Sequence, residues 1–232
     1  MNEFFARSEA LLGEKVMETL RSTRVILFGV GGVGSYAAEA LIRTGLIHLT
    51  IVDGDTVQPS NLNRQLPATR ATMGLPKVEA LKARLLEINP EAEIETRVEM
   101  VNGEWLKANG LENYDYVIDA IDSVNDKTDL ILYVTRARVK IFSSMGAALR
   151  FDPTQVTIGE LMAIKGDALA KAVRARMKKI GVHPYKKVKC VYSTEQAQQC
   201  ETRGSLMQVT AVFGLTLASM VVNDIRGKVY SV

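Results

Sequence analysis

The sequence predicts an α/β fold: a doubly wound, mostly parallel sheet with helices on both faces and an antiparallel C-terminal extension. Three observations predict it. Short apolar runs alternate with helix-length segments over about 120 residues, the pattern of a parallel sheet covered on both faces. Gly29, Gly31 and Gly34 lie at the turn from the first apolar run into the helical segment that follows it. Beyond Gly146 the alternation fades, and residues 156–159 read as a strand of antiparallel type.

The elements follow in order. Residues 8–21 read as a helix ahead of the first strand, Arg24–Phe28. A helix over Gly34–Thr44 follows, with Gly45 as its stop. The second strand is His48–Val52, and the loop after it contains Pro59 and Pro67. Pro76 sits where a first helical turn tolerates proline, and Val78, Leu81, Leu85 and Ile88 recur at helical spacing until Asn89-Pro90. Residues 94–98 read as a short strand and 103–109 as a weak helix. Tyr116–Asp119 is a strand of the buried kind, 126–138 a helix and 139–143 another strand. Residues 165–189 are a basic segment, and an apolar C-terminal helix follows. With no internal repeat and no low-complexity linker, residues 1–232 read as one domain. It comprises an N-terminal helix within 1–22, a nucleotide-binding core over 24–150, and a C-terminal part, 151–232, with the basic segment and last helix.

Composition sets bounds on function. At 47% hydrophobic and 24% charged, the chain has the make-up of a soluble globular protein. A net charge of +3 permits an anionic partner without demanding one. The two cysteines, Cys190 and Cys200, form neither a disulfide framework nor a CxxC zinc pair, which fits a reducing, cytoplasmic setting. The first residues lack the basic-then-apolar order of a signal peptide. The apolar stretch 206–222 includes Gln208, Thr210, Thr216 and Ser219, and it falls short of the roughly 20 apolar residues of a spanning helix. It reads as a buried helix in the core or a subunit interface, not as a membrane anchor.

The glycines carry the first chemical signal. Gly29-x-Gly31-Gly32-x-Gly34, between strand and helix, lets a phosphate approach the backbone and meet free N–H groups at a helix N-terminus. This is the Rossmann-like arrangement. Asp53 ends the second strand, where a carboxylate accepts from ribose hydroxyls and disfavours a 2′-phosphate. NAD, FAD and ATP all fit at this point, and Asp55 also fits an ordinary turn residue.

The order of later motifs is more specific. Gly29-Val-Gly-Gly-Val-Gly34, Asp53-Gly-Asp55, Ser60-Asn-Leu-Asn-Arg-Gln65, Gly74-Leu-Pro-Lys-Val78 and Asp119-Ala-Ile-Asp122 occur in sequence. Over residues 7 to about 150, the chain resembles the adenylating domain of the ubiquitin-activating-enzyme-like superfamily, which includes the ThiF-type sulfur-carrier adenylyltransferases. The resemblance implies ATP with magnesium, and attack of a carboxylate on the α-phosphate to give an acyl adenylate and pyrophosphate. Asp53, with Asp55 beside it, would then serve the ribose end, and Asn61, Arg64 and Lys77 the phosphates. Asp122 would stand near the magnesium, and Arg7 would reach into the site of a homodimeric partner. Taken singly, Arg64 and Lys77 also read as surface cations and Asp122 as a helix cap. Their joint occurrence in this order is what assigns them.

Further segments narrow the resemblance. Ala38-Glu-Ala-Leu-Ile-Arg-Thr-Gly45, Tyr116-Val-Ile-Asp-Ala-Ile-Asp-Ser123, Asp152-Pro-Thr154, Val188-Lys-Cys-Val-Tyr-Ser-Thr-Glu195 and Val209-Thr-Ala-Val-Phe-Gly214 are similar to the branch that dehydrates threonylcarbamoyladenosine in tRNA. That branch implies a tRNA substrate, a ligase-like adenylation and ring closure, and in some relatives a link to a cysteine desulfurase system. Cys190 falls on one of these segments; as a residue it reads as a small buried side chain or as a reactive thiol. Two other readings stay open: adenylation of a sulfur-carrier protein's C-terminal glycine, and a nucleotide-dependent tRNA-binding module with little turnover. Between Lys171 and Lys189 lie eight Lys or Arg and no acid, with His183 and Tyr185 among them. Such a run suits RNA phosphates and base stacking, and equally a solvated basic helix.

Overall fold

The computed structural model describes residues 3–202 and 204–230. Its centre is a seven-stranded sheet: β1 (Arg24–Phe28), β2 (His48–Val52), β3 (Glu93–Arg97), β4 (Tyr116–Asp119), β5 (Lys140–Ser144), β6 (Val156–Glu160) and β7 (Lys189–Ser193). The spatial order is β3-β2-β1-β4-β5-β7-β6, and only the β6–β7 pair is antiparallel. Strand order therefore reverses between β1 and β4, the place where an open α/β sheet leaves a crevice at its carboxyl ends.

The helices are α1 (Ala6–Leu12), α2 (Glu14–Ser22), α3 (Gly34–Thr44), α4 (Lys77–Ile88), α5 (Gly103–Asn109), α6 (Val124–Arg136), α7 (Ala168–Lys179) and α8 (Met207–Tyr230). They cover both faces. In β1, Val25 and Leu27 pack with Leu41, Phe213 and Leu217. Ile26 and Phe28 point the other way, against Val117, Leu130 and Ile131. This alternation is why β1 reads as a continuous apolar run: neither face meets water.

The differences from expectation have local causes. The N-terminal helix of 8–21 is two helices, because Gly13 adopts φ +81° between them; positions 1 and 2 of the expected 1–22 span lie outside the described residues. The helix expected at 126–138 runs instead over Val124–Arg136, because the Ser123 hydroxyl accepts from the Asp126 N–H and caps it earlier. The basic segment is partly ordered as α7, and β7 opens at its last residue, parallel to β5. The C-terminal extension is thus one parallel strand with one antiparallel partner.

α8 is long and apolar enough to cross a membrane, yet half of its apolar window is buried within the chain. Val209, Phe213, Leu217 and Val221 form the inward stripe. At Gly214 a side chain would come 2.2 Å from the Val33 carbonyl oxygen, so α8 crosses the start of α3 at backbone contact. That crossing carries Thr210 to the rim of the crevice described next.

Candidate active site

The crevice at the carboxyl ends of β2, β1, β4 and β5 is a cavity of about 400 Å³. Its glycines are needed for close backbone approach. Gly29 has φ +88°, and a Cβ there would sit 2.7 Å from the Ala120 carbonyl oxygen of the β4 end. A Cβ on Gly34 would lie 1.9 Å from the Gly29 oxygen. No side chain fits either position, so the turn from β1 into α3 hugs the sheet and leaves the space above it open.

Asp53, at the end of β2, fixes that turn. Its Oδ2 accepts from the Val30 N–H at 2.6 Å and its Oδ1 from the Asp55 N–H at 2.8 Å. Each carboxylate oxygen keeps acceptor capacity for a hydroxyl. Lys77, the first residue of α4, is buried, and its Nζ donates to Asp55 Oδ2 at 2.6 Å. Arg64 donates from Nη1 to the Ser60 carbonyl at 3.0 Å and to Asn63 Oδ1 at 2.8 Å. Gly29, Gly31, Gly32, Asp53, Asp55, Arg64, Lys77 and Asp122 all line the one cavity. Asp122 is exposed there, just past the β4 end.

Three expected residues stand elsewhere. Asn61 is buried outside the lining; its Oδ1 accepts from Gln58 N–H, and its carbonyl accepts from the Arg64 and Gln65 N–H groups, so it builds the loop that carries Arg64. Gly34 packs against Gly29 beneath the cavity. Arg7, exposed on α1, is not part of the lining. Among the described residues no three His, Cys, Asp or Glu gather as a metal cluster. Magnesium does not need one, since it takes one or two carboxylates with substrate phosphates and water; Asp122 fits that mode.

Sequence reasoning passed over two groupings. Asp119, Lys127 and Ser143 are fully buried: Lys127 Nζ donates to Asp119 Oδ2 at 2.7 Å and to Ser143 Oγ at 3.2 Å, and Ser143 Oγ donates to Asp119 Oδ2 at 2.6 Å. Asp119 Oδ1 accepts from the Ile121 N–H at 3.1 Å, which shapes the turn toward Asp122. The available signal was an acid at the end of an apolar strand, which demands a cation close by. The second grouping is Arg150 with Asp167, both almost fully buried and both lining the β5 side of the cavity. Val52, Met100, Val101 and Ile121 give the opposite end an apolar wall. Cys190 is buried, and burial pushes its thiol up to about 12, so its thiolate is scarce at neutral pH. Cys200 is exposed.

Comparison with known proteins gives the family. The model of the ThiF family matches residues 5–230. The chain is 40% identical over 191 residues to the tRNA threonylcarbamoyladenosine dehydratase of Bacillus subtilis, covering 82% of this chain and 74% of the relative. It is 37% identical over 141 residues to the molybdopterin-synthase adenylyltransferase of Escherichia coli, covering 61% and 55%. Among solved structures, the Escherichia coli tRNA N6-threonylcarbamoyladenosine dehydratase in complex with ATP superposes with a TM-score of 0.93 at 35% identity, over 99% of this chain and 96% of that one.

Proposed function

The chain belongs to the ThiF family, and from that premise we propose that it is an ATP-dependent tRNA threonylcarbamoyladenosine dehydratase working through an adenylated carboxylate. The observation that carries the reading is the convergence of the glycine turn, Asp53, Arg64, Lys77 and Asp122 on one cavity. The lining suits ATP, because it sets the cations of Arg64 and Lys77 and the glycine turn beside an apolar wall of Val52, Met100 and Val101.

In this reading the adenine rests on the apolar wall of Val52, Met100 and Val101, and Asp53 accepts from the ribose. The phosphates lie along the glycine turn, with Arg64 and Lys77 as counter-charges. A carboxylate and a polyphosphate repel, so convergent cations are required before they can react. Asp122 would hold magnesium, which would supply further charge neutralisation. A carboxylate oxygen attacks the α-phosphorus, the bond to the β-phosphate bridge breaks, and pyrophosphate leaves. A tethered nucleophile of the same modified nucleoside then closes the ring and expels AMP with the activated oxygen. Intramolecular attack needs no thioester relay, in keeping with the buried Cys190. A homodimer is part of the proposal, since Arg7 has no place in its own cavity.

α7 begins at the cavity wall, at Ala168, and exposes Lys171, Lys178 and Lys179. Arg174 and Arg176 are committed to the Leu161 carbonyl and to Asp129. Arg136 covers one face of the Tyr185 ring at 5.2 Å. We propose the exposed lysines as phosphate contacts for tRNA. Lys178→Ala with Lys179→Ala should lower tRNA affinity and flatten the slope of log K against log[salt] by roughly 1 to 2. ATP affinity should stay unchanged. An unaltered salt slope removes this face from the tRNA path.

The second reading is adenylation of a sulfur-carrier protein. It is favoured by the match to the molybdopterin-synthase adenylyltransferase, which covers only 61% of the chain. The absence of CxxC from the sequence counts against it. The deciding experiment supplies ATP, magnesium and tRNA bearing threonylcarbamoyladenosine, then digests the RNA for mass spectrometry. A nucleoside lighter by one water supports the dehydratase; unchanged nucleoside alongside intact ATP refutes it.

A further inference from the structure

Arg150 is 3% exposed, and its Nε and Nη1 have no hydrogen-bond partner among the described residues. Its Nη2 lies 3.8 Å from Asp167 Oδ2. Asp167 is already engaged: Oδ1 accepts from the Ala170 N–H at 2.8 Å and Oδ2 from the Gly146 N–H at 3.1 Å. The guanidinium is therefore a buried cation with spare donors, a costly state unless an anion joins it. Its backbone is held in place from several sides. The preceding Leu149 has φ +62°, with its N–H donating to the Gly204 carbonyl and its carbonyl accepting from Gln198. The following N–H groups, of Phe151 and Asp152, donate to the Glu195 carboxylate. Strain fixed so firmly beside a cavity marks a position kept for a ligand.

The sheet order says which ligand. From β2 to β5 the cavity presents Asp53, then the glycine turn, then Asp122, then Arg150. The proposed ribose and phosphate contacts lie on the β2 and β1 side, and Arg150 lies on the other side of Asp122. Resting on the adenylation reading, we infer that Arg150 receives the substrate carboxylate and presents it to the α-phosphate. A planar guanidinium matches a carboxylate, and the partly neutralised Asp167 limits repulsion.

The test compares Arg150→Met and Arg150→Lys with the wild-type chain. Arg150→Met should leave the ATP dissociation constant within about twofold. It should slow AMP release from threonylcarbamoyladenosine-bearing tRNA by about 100-fold, with Arg150→Lys regaining part of the rate. In the ligand-free protein, acetate at an ionic strength matched with chloride should raise the Tm of the wild-type chain and leave that of Arg150→Met unchanged, because only the wild type keeps the spare guanidinium donors that bind a carboxylate. Wild-type AMP release in Arg150→Met, or loss of ATP affinity in step with rate, overturns the inference. So does an acetate-induced rise in Tm that is absent from the wild type or equal in both chains. A wild-type chain inert toward this tRNA instead contradicts the functional reading. The acetate comparison, which needs no tRNA, then decides Arg150 alone: a rise in Tm in the wild type only supports the anion site, and no rise or an equal one overturns it.

Discussion

Arg64→Ala should cut single-turnover AMP formation by about 100-fold or more, on the scale of removing one preorganised charge stabiliser from a transition state. The fold should survive. Arg64 is only partly buried, and its two side-chain hydrogen bonds go to the Ser60 carbonyl and Asn63 within its own loop. That loop is built by the Asn61 carbonyl and side chain, which the substitution leaves intact. Unchanged circular dichroism and Tm beside the lost turnover would place the effect in the chemistry. Arg64→Lys should retain some rate, because it keeps the charge and loses the fork geometry. Full activity in Arg64→Ala would remove this residue from the account.

Lys127→Met should cost about 3–5 kcal/mol of stability, the range for stripping one partner from a buried ion pair. Lys127 and Asp119 are both fully buried, at 2.7 Å, with Ser143 bridging them. Without the ammonium, Asp119 keeps only the Ser143 hydroxyl and the Ile121 N–H. Adding Asp119→Leu, so that neither charge is buried, should restore much of the loss. Urea denaturation of the two single variants and the double variant measures the coupling. Additive losses would show that the pair is not the unit described. The same network shapes the turn to Asp122, so partly stable variants should also turn over more slowly.

The fold was legible where period and punctuation agree. β1, β2 and β4 are apolar runs with both faces buried, and α3 lies between a glycine turn and Gly45, whose φ of +114° ends it. Legibility failed where one residue outweighed the pattern, as at Gly13, or where the cap lay outside the apolar period, as at Ser123. β7 was hidden because its pairing with β5 and β6 is long-range, and its sequence, Lys-Cys-Val-Tyr-Ser, follows a basic run.

In the site, sequence order singled out the residues that line the cavity from β1, β2 and β4. It missed what polarity alone conceals. Lys127 and Arg150 are residue types found mostly at surfaces; Asp119 demands a cation without saying which, and nothing around Arg150 says that the fold turns it inward. Asn61 shows the converse. Its place in a polar motif suggests phosphate, while its hydrogen bonds build a loop.

The central claim is that a carboxylate of the modified nucleoside attacks the α-phosphate of ATP. The most direct measurement uses tRNA whose threonylcarbamoyl carboxylate carries oxygen-18, with ATP of natural abundance. Adenylation predicts AMP and pyrophosphate in equal amounts, with one heavy oxygen from the carboxylate in the AMP phosphate. Unlabelled AMP, or ADP with labelled inorganic phosphate, would contradict it.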